Sequence, residues 1–215
     1  MNDDSHKGFF VRVVLKKGII EVEKKVLKGD DRMPRDIKRD IMPEIKERYS
    51  TRYFSSEPVD EQDISDILLA ATLAPSAYNE QPWRFFVAKT PEDRAAVIEY
   101  LTPGNMEWAQ NAPVLIVVAG AIYETHNGLF NYWGAFDSGC AWGYLSLEAQ
   151  RKGYVTHCMG GFDRFDIKQM FNNVGDNHEL YAVIALGRPG DDALRAAEKP
   201  GGRRRMSEVM MTRKK

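Results

Sequence analysis

An unbroken apolar run in the middle of the chain constrains the fold more than any other feature. The run "APVLIVVAGA" (112–121) is rich in β-branched residues, which is typical of a strand covered on both faces. It contains Pro113 and Gly120 and is too short to cross a bilayer. We therefore expect a sheet whose central strand is buried in the core, and no membrane span.

Helical and extended patterns alternate around this run. Helices are predicted in "VDEQDISDILLAATLA", "PEDRAAVIEYL" and "DRFDIKQMF". In the first of these, Asp60 is the predicted N-cap and Pro75 ends the helix. Strands are predicted in "WRFFVAK", "YVTHCMGGF" and "ELYAVIALGRPG". Because the strands are irregularly spaced, the prediction is an α+β fold with a mixed central β-sheet flanked by helices.

One predicted helix is unusually rich in small residues. "YWGAFDSGCAWGYLSLEAQRKG" (132–153) contains three interior glycines, at 134, 139 and 143. Each interior glycine costs about 1 kcal/mol relative to alanine. We interpret this helix as a central one that a partner approaches closely.

The first 40 residues are predicted to be an appendage. "FFVRVVLKKGIIEVEKKVL" alternates apolar and polar residues around Lys17-Gly18, which indicates a β-hairpin. A charged connector, Lys28 to Arg39, follows it. The predicted division is residues 1–40 for the appendage and 41–215 for the main domain.

Composition excludes several classes of protein. The formal net charge of −1 gives no overall attraction to nucleic acid or to anionic membranes. The N-terminus "MNDDSHKG" lacks the pattern of a secretory signal, and two cysteines are not a disulfide framework, so a cytoplasmic protein is predicted. GxGxxG, P-loop and GxSxG motifs are absent, and the adjacent His157 and Cys158 do not have the spacing of zinc ligands, so no metal site is predicted.

Two groups of polar residues are candidate ligand-binding elements. "RYSTR" places Arg48, Ser50 and Arg52 on one side of an extended segment, where two guanidinium groups and a hydroxyl suit a phosphate. "APSAYNEQPWRFF" (74–86) offers the planar amides of Asn79 and Gln81, which suit the edge of a heteroaromatic ring. Taken alone, the first is more often a solvated basic turn, and the second more often satisfies loop backbone.

The order of these motifs resembles the nitroreductase family of FMN-dependent oxidoreductases over about residues 44 to 210. The most specific pieces are "RYSTRYF" (48–54), "LAPSAYNEQPWRFFV" (73–87) and "GYVTHCMGGFD" (153–163). The resemblance implies a nitroreductase-like fold and an intertwined homodimer with FMN at the subunit interface. The N-terminal appendage is a departure from the usual family core. The segment "THCMGGFD" differs from family members that carry an acidic residue just before the glycine. His157 is therefore either near the flavin or part of the core, and we favour the structural interpretation.

The resemblance also implies which residues bind FMN. The arginines of the first segment serve the phosphate and the pyrimidine side of the flavin. The loop reaches FMN, in the family commonly across the dimer interface, and a glycine turn places a backbone N–H near N5. The implied cofactor-binding residues are Arg48, Ser50, Arg52, Pro75, Ser76, Ala77, Asn79, Gln81, Gly160, Gly161, Gly187, Arg188, Arg203 and Arg205, with the register among Arg203, Arg204 and Arg205 left open.

The implied activity is a ping-pong hydride transfer from NADH or NADPH to nitroaromatic, quinone or related small-molecule acceptors. No side chain is assigned as catalytic. Three alternatives stay open: an FMN-dependent reductive dehalogenase or flavin-fragmenting enzyme, a flavin-binding or redox-sensing protein without turnover, and a nucleic-acid binder with a basic tail. The net charge and the lack of interleaved aromatics argue against the last.

Overall fold

The computed structural model describes residues 9–16, 19–26, 39–172, 174–198 and 201–213. They belong to two compact units, Arg39–Pro200 and the stretches before and after it. In the smaller unit, strands β1 (Phe9–Lys16) and β2 (Ile19–Val26) pair antiparallel, as the alternating pattern indicates. The predicted turn at Lys17-Gly18 and residues 28–38 of the connector lie outside the described residues, and the domain boundary near residue 40 stays a prediction.

The larger unit contains most of the helices and strands. They are α1 (Pro43–Glu47), α2 (Glu61–Thr72), β3 (Trp83–Ala88), α3 (Pro91–Ile98), α4 (Pro103–Ala109), β4 (Val114–Ala121), α5 (Gly134–Arg151), β5 (Val155–Met159), β6 (His178–Gly187) and α6 (Asp192–Ala197). Short 3-10 turns lie at Ala77–Asn79 and Ile167–Met170, and α7 (Met206–Val209) lies in the smaller unit. Where the structure describes the chain, no helix has both the length and the apolar character needed to cross a membrane.

Local sequence accounts for where the helices begin. The Asp60 carboxylate accepts hydrogen bonds from the N–H groups of Gln62 and Asp63 at 2.8 and 3.2 Å, so it caps α2 as predicted. Thr90 caps α3 through the N–H of Asp93, and Pro91 occupies its first turn. Helix α2 ends at Thr72, three residues before Pro75.

The α+β class is confirmed, but the sheet of the larger unit is not mixed. Its four strands lie in the order β3-β4-β6-β5, and all three pairings are antiparallel. Helices α3 and α4, with eight and seven residues, are only about 10–12 Å long. The connection that contains them turns back on itself, so that the chain re-enters the sheet at the end it left, and Ala88 pairs with Leu115.

Strand β4 is buried on both faces, as its apolar run predicts. Leu115, Val117 and Ala119 join one core cluster, while Val114, Ile116 and Val118 join another. The second cluster includes residues of α2 and α5, among them Ile67, Ala141, Leu145 and Ala149. Helix α5 thus contributes one face to this cluster, while its Phe136 and Tyr144 side chains are exposed.

Candidate functional site

The loop between α2 and β3 has an unusual backbone. Tyr78, Asn79 and Gln81 have φ angles of 51°, 56° and 45°, and they are the non-glycine residues with positive φ among those described. This left-handed region costs free energy for residues with a β-carbon, and such residues cluster at ligand-binding sites. The loop predicted to bind a ligand is therefore also where the described backbone is most strained.

Hydrogen bonds inside the larger unit hold this loop in place. Ser76 Oγ accepts from the Gln81 N–H at 3.0 Å, and Gln81 Nε2 donates to the Asn79 carbonyl at 3.1 Å. The buried carboxylate of Asp137, on α5, accepts from the Ala77 N–H at 3.0 Å. Ser76 and the Gln81 amide thus serve the loop itself, while Pro75 and Asn79 are exposed beside it.

Glu80 points out of the loop toward the turn after β4. Its carboxylate accepts from the Thr125 N–H at 2.8 Å and the Thr125 hydroxyl at 2.7 Å, and it also contacts the His126 ring and N–H. These bonds, the one to His126 first among them, lower the pKa of Glu80 to about 2. The carboxylate therefore stays ionised, and sequence reasoning had assigned it no role.

Thr51, which lies between the predicted ligands Ser50 and Arg52, anchors the arginine segment. Thr51 is fully buried, and its hydroxyl donates to Glu198 Oε2 at 2.6 Å. The other oxygen of Glu198 accepts from the Arg52 N–H at 2.9 Å. Ser50 and Arg52 are exposed on either side of Thr51, as expected for an extended segment, and Arg48 is half-buried at the end of α1.

His157 joins the same segment to strand β5. The ring contacts the Thr51 carbonyl through Nδ1 at 2.9 Å, so Nδ1 carries the proton and donates it. Burial lowers the pKa of His157, and its ring packs on Trp108 with centroids 4.4 Å apart. His157 is therefore a neutral structural residue, and it connects the arginine segment to the strand that leads into Gly160 and Gly161.

The two glycines after β5 differ in their surroundings. A β-carbon at Gly161 would lie 2.8 Å from Thr102 Oγ1 and 2.9 Å from Asn105 Nδ2, whereas one at Gly160 would meet no described atom within 4 Å. The Gly161 carbonyl also accepts from the Thr102 N–H and the Asn105 amide, each at 3.0 Å. Packing against α4 explains Gly161, and Gly160 is left as the open backbone position of the turn.

Gly187 and Arg188, at the end of β6, have contacts of their own. A β-carbon at Gly187 would collide with Pro113 at 2.6 Å, so packing accounts for that glycine. The Arg188 guanidinium donates to the Lys152 carbonyl at 3.0 Å and lies 4.1 Å from the centre of the Tyr154 ring. These contacts give both residues structural roles, and their assignment to FMN stays a prediction. Arg203 and Arg205 lie in the smaller unit, where Arg203 donates to the Gly201 carbonyl at 3.0 Å, and their assignment to a phosphate stays a prediction.

Two surface cavities in the larger unit do not coincide with the predicted site. One, of about 240 Å³, is lined by residues that include Pro58 and Lys89, and the other, of about 150 Å³, by Arg84, Phe86 and their neighbours. Within the described ranges, no group of three or more His, Cys, Asp or Glu side chains is placed to hold a metal ion. The arginine segment and the Gly160 turn are thus joined through β5, while the loop precedes β3 at the opposite edge of the sheet, and all three remain a predicted site.

Comparison with known proteins assigns the chain to a family. The family model described as "Nitroreductase family" matches residues 45–104 and 97–188. A protein of Archaeoglobus fulgidus, provisionally named NADH dehydrogenase/NAD(P)H nitroreductase, is 33% identical over 151 residues, covering 69% of this chain and 84% of that protein. The chain therefore belongs to the nitroreductase family.

Two further relatives are informative. The crystal structure of an oxidoreductase containing FMN has a TM-score of 0.74 and 31% identity, and the match covers 86% of this chain and 96% of that one. Iodotyrosine deiodinase 1 of Sus scrofa is 25% identical over 195 residues, covering 78% of this chain and 66% of that protein. The nitroreductase-like fold predicted from the sequence is confirmed.

Proposed function

We propose that this protein is an FMN-dependent oxidoreductase that passes electrons from NADH or NADPH to a nitroaromatic, quinone or related acceptor. The observation that carries the proposal is the junction at Thr51. It joins the arginine segment to β5, and β5 leads directly into the open Gly160 backbone. This link between the arginine segment, which suits a phosphate, and the Gly160 turn, which suits a flavin ring, supports their belonging to one site.

The residues present fit FMN. Arg52 is exposed while its backbone is fixed by Glu198, so its guanidinium is available to a phosphate or to the pyrimidine edge of the ring. The space in front of Gly160 permits close approach of a flat ligand to the main chain. The names of the relatives, an oxidoreductase containing FMN and an NAD(P)H nitroreductase, support the same cofactors.

The chain's own contribution is binding and electrostatics. Bound FMN supplies hydride acceptance and donation at N5, which allows donor and acceptor to use one pocket in turn. Arg48, Ser50 and Arg52 hold the phosphate and place positive charge beside the pyrimidine side of the ring. The Gly160–Gly161 turn offers backbone N–H groups to the ring, and the 74–81 loop borders its edge. No acid–base side chain is required.

A homodimer that completes the site is part of the proposal. Phe136 and Tyr144 on α5 are 71% and 44% exposed, and β-carbons at Gly139 and Gly143 would meet no described atom within 4 Å. This aromatic and glycine-lined face suits close packing of a second copy. A cytoplasmic location also stays with the proposal.

Reductive dehalogenation is the second candidate, favoured by the similarity to iodotyrosine deiodinase 1. It uses the same FMN site, and the two reactions differ in the acceptor. An acceptor panel that includes halogenated phenols therefore separates them.

The proposed function is tested by flavin content and by reduction. Purified protein is expected to be yellow, or to bind FMN on reconstitution, and to bleach when mixed anaerobically with NADH or NADPH. Reoxidation by nitroaromatics, quinones or halophenols then identifies the acceptor class. Protein that takes up no FMN contradicts the proposal, and a flavin that neither nucleotide bleaches indicates a binding protein without turnover.

Alanine substitution at Gly161 should lower the stability of the apoprotein, whereas alanine substitution at Gly160 should weaken flavin binding. Gly161→Ala is expected to destabilise the apoprotein by about 1–3 kcal/mol, because its β-carbon overlaps Thr102 and Asn105. Gly160→Ala is expected to leave the apoprotein as stable as the wild type but to weaken FMN binding, because its β-carbon enters the space proposed for the ring. Urea unfolding and FMN titration measure the two effects, and equal FMN affinity in Gly160→Ala would contradict this placement.

A further inference from the structure

Residues 122–131 form a small hairpin beside the loop. Tyr123 and Phe130 make an antiparallel bridge, the Glu124 N–H donates to the Leu129 carbonyl at 2.8 Å, and Gly128 turns the chain with φ of 70°. Tyr123, Leu129 and Phe130 are exposed. The 122–131 hairpin therefore has backbone order of its own while presenting apolar side chains to solvent.

Glu80 is the main link between this hairpin and the loop. Its side chain is only 5% exposed, although it follows the exposed Asn79 and precedes the exposed Gln81. Its two oxygens are satisfied by donors of Thr125 and His126, and the Tyr78 ring lies 4.9 Å from the His126 ring. The hairpin side of the contact is itself supported, because the Asn127 amide donates to Glu124 Oε2 at 2.6 Å.

The position of Glu80 in the loop gives this link its importance. It lies between the left-handed residues Asn79 and Gln81, whose backbone conformation is unfavourable by itself and has to be maintained by surrounding contacts. Asp137 holds the first half of the loop at Ala77, and the Ser76 hydroxyl joins the two ends of the loop through the Gln81 N–H. Glu80 holds the second half, and its charge makes each of its hydrogen bonds stronger than a neutral one.

We propose that Glu80 is a positioning residue of the site, and that through it the 122–131 hairpin controls how tightly the loop binds FMN. The inference rests on the proposed function for the identity of the ligand. It predicts that Thr125 influences FMN affinity through its hydrogen bonds to Glu80. Thr125 lies 44 residues from the nearest predicted loop ligand, Gln81, and belongs to none of the motifs described above. Without the carboxylate, we expect the loop to leave its left-handed conformation and to lose its contact with the edge of the flavin ring.

The test is a double-mutant cycle on FMN binding to the full-length apoprotein. Glu80→Gln is expected to weaken binding about tenfold, the loss typical of a charge-assisted hydrogen bond. Thr125→Val removes only the hydroxyl donor and leaves the Thr125 N–H and His126 bonds to the carboxylate, so it is expected to weaken binding only about threefold. The double variant should bind about as weakly as Glu80→Gln alone, because both changes remove the same contact. Glu92→Gln and Thr72→Val, both at exposed helical positions, are matched controls with unchanged affinity.

Two readouts distinguish positioning from a general loss of structure. The absorption bands of bound FMN should shift in Glu80→Gln, because the ring border has moved. Amide hydrogen exchange of the apoproteins should rise within 74–82 and 122–131 and stay unchanged in β4 and α5. If Glu80→Gln fails to fold, Thr125→Val provides both measurements.

The outcomes separate this inference from the proposed function. Wild-type protein that binds no FMN contradicts the proposed function, while the exchange data still decide whether Glu80 holds the loop. Wild-type affinity in Glu80→Gln, or single effects that multiply in the double variant, would overturn the inference even if FMN binds.

Discussion

Replacing Arg52 by alanine is expected to weaken FMN binding by about 10- to 100-fold, the effect of losing a charge-assisted contact to a phosphate or ring oxygen. The backbone at Arg52 is already fixed by Glu198, so little ordering is required when the guanidinium binds. The side chain is exposed, so its removal should leave the thermal stability of the apoprotein unchanged. Quenching of flavin fluorescence during titration of the apoprotein measures the change.

Two further variants make the Arg52 result specific. Arg52→Lys retains the charge but loses the two-pronged geometry of the guanidinium, and it should fall between the wild type and Arg52→Ala. Arg151→Ala removes an exposed arginine that pairs with Glu148 on α5, and it should bind FMN normally. Unchanged affinity in Arg52→Ala would show that the phosphate lies elsewhere.

Replacing Gly139 by leucine is expected to convert the protein to monomers and to abolish FMN retention. A β-carbon at this position meets no described atom within 4 Å, and leucine is a better helix former than glycine by about 1 kcal/mol. The isolated chain should therefore fold at least as well as before. The larger side chain would prevent a second copy from approaching α5, and a site completed across the interface would be lost with it. Sedimentation equilibrium and flavin content measure the two effects.

The matched control places the same side chain on a different helix. Ala95→Leu adds bulk at an exposed position of α3, and it should leave both mass and flavin content as in the wild type. A dimer that persists in Gly139→Leu contradicts the assignment of α5 to the interface. A monomer that retains FMN would keep that assignment but refute a shared site.

Local patterns in the sequence predicted the elements well, for reasons that are themselves local. The β-branched run predicted β4 because burial on both faces requires apolar residues at successive positions. Asp60 predicted the start of α2 because the first turn of a helix lacks acceptors for its N–H groups. The direction of strand pairing has no comparable local signature. The expected mixed sheet was wrong because the direction of β4 depends on the path of the connection through α3 and α4, which local patterns do not specify.

The candidate site was predictable only in part. The loop and the arginine segment carried recognisable groups, but Thr51, Glu198, Asp137 and Glu80 act through partners distant in sequence, which no local motif specifies. A signal for the loop was present, since asparagine tolerates the left-handed conformation better than most residues. The structural roles of Gly187 and Arg188 became clear only when Pro113 and Tyr154 were seen beside them.

The Thr51 junction has a consequence for the order in which the protein folds. Its hydrogen bonds join residues 106 and 147 positions apart in the chain, so each requires closure of a long loop. Contacts of this kind form slowly and late compared with local ones. During synthesis, the arginine segment cannot be fixed until β5 and then Glu198 have left the ribosome. A nascent chain therefore cannot complete the Thr51 junction until residue 198 has been synthesised.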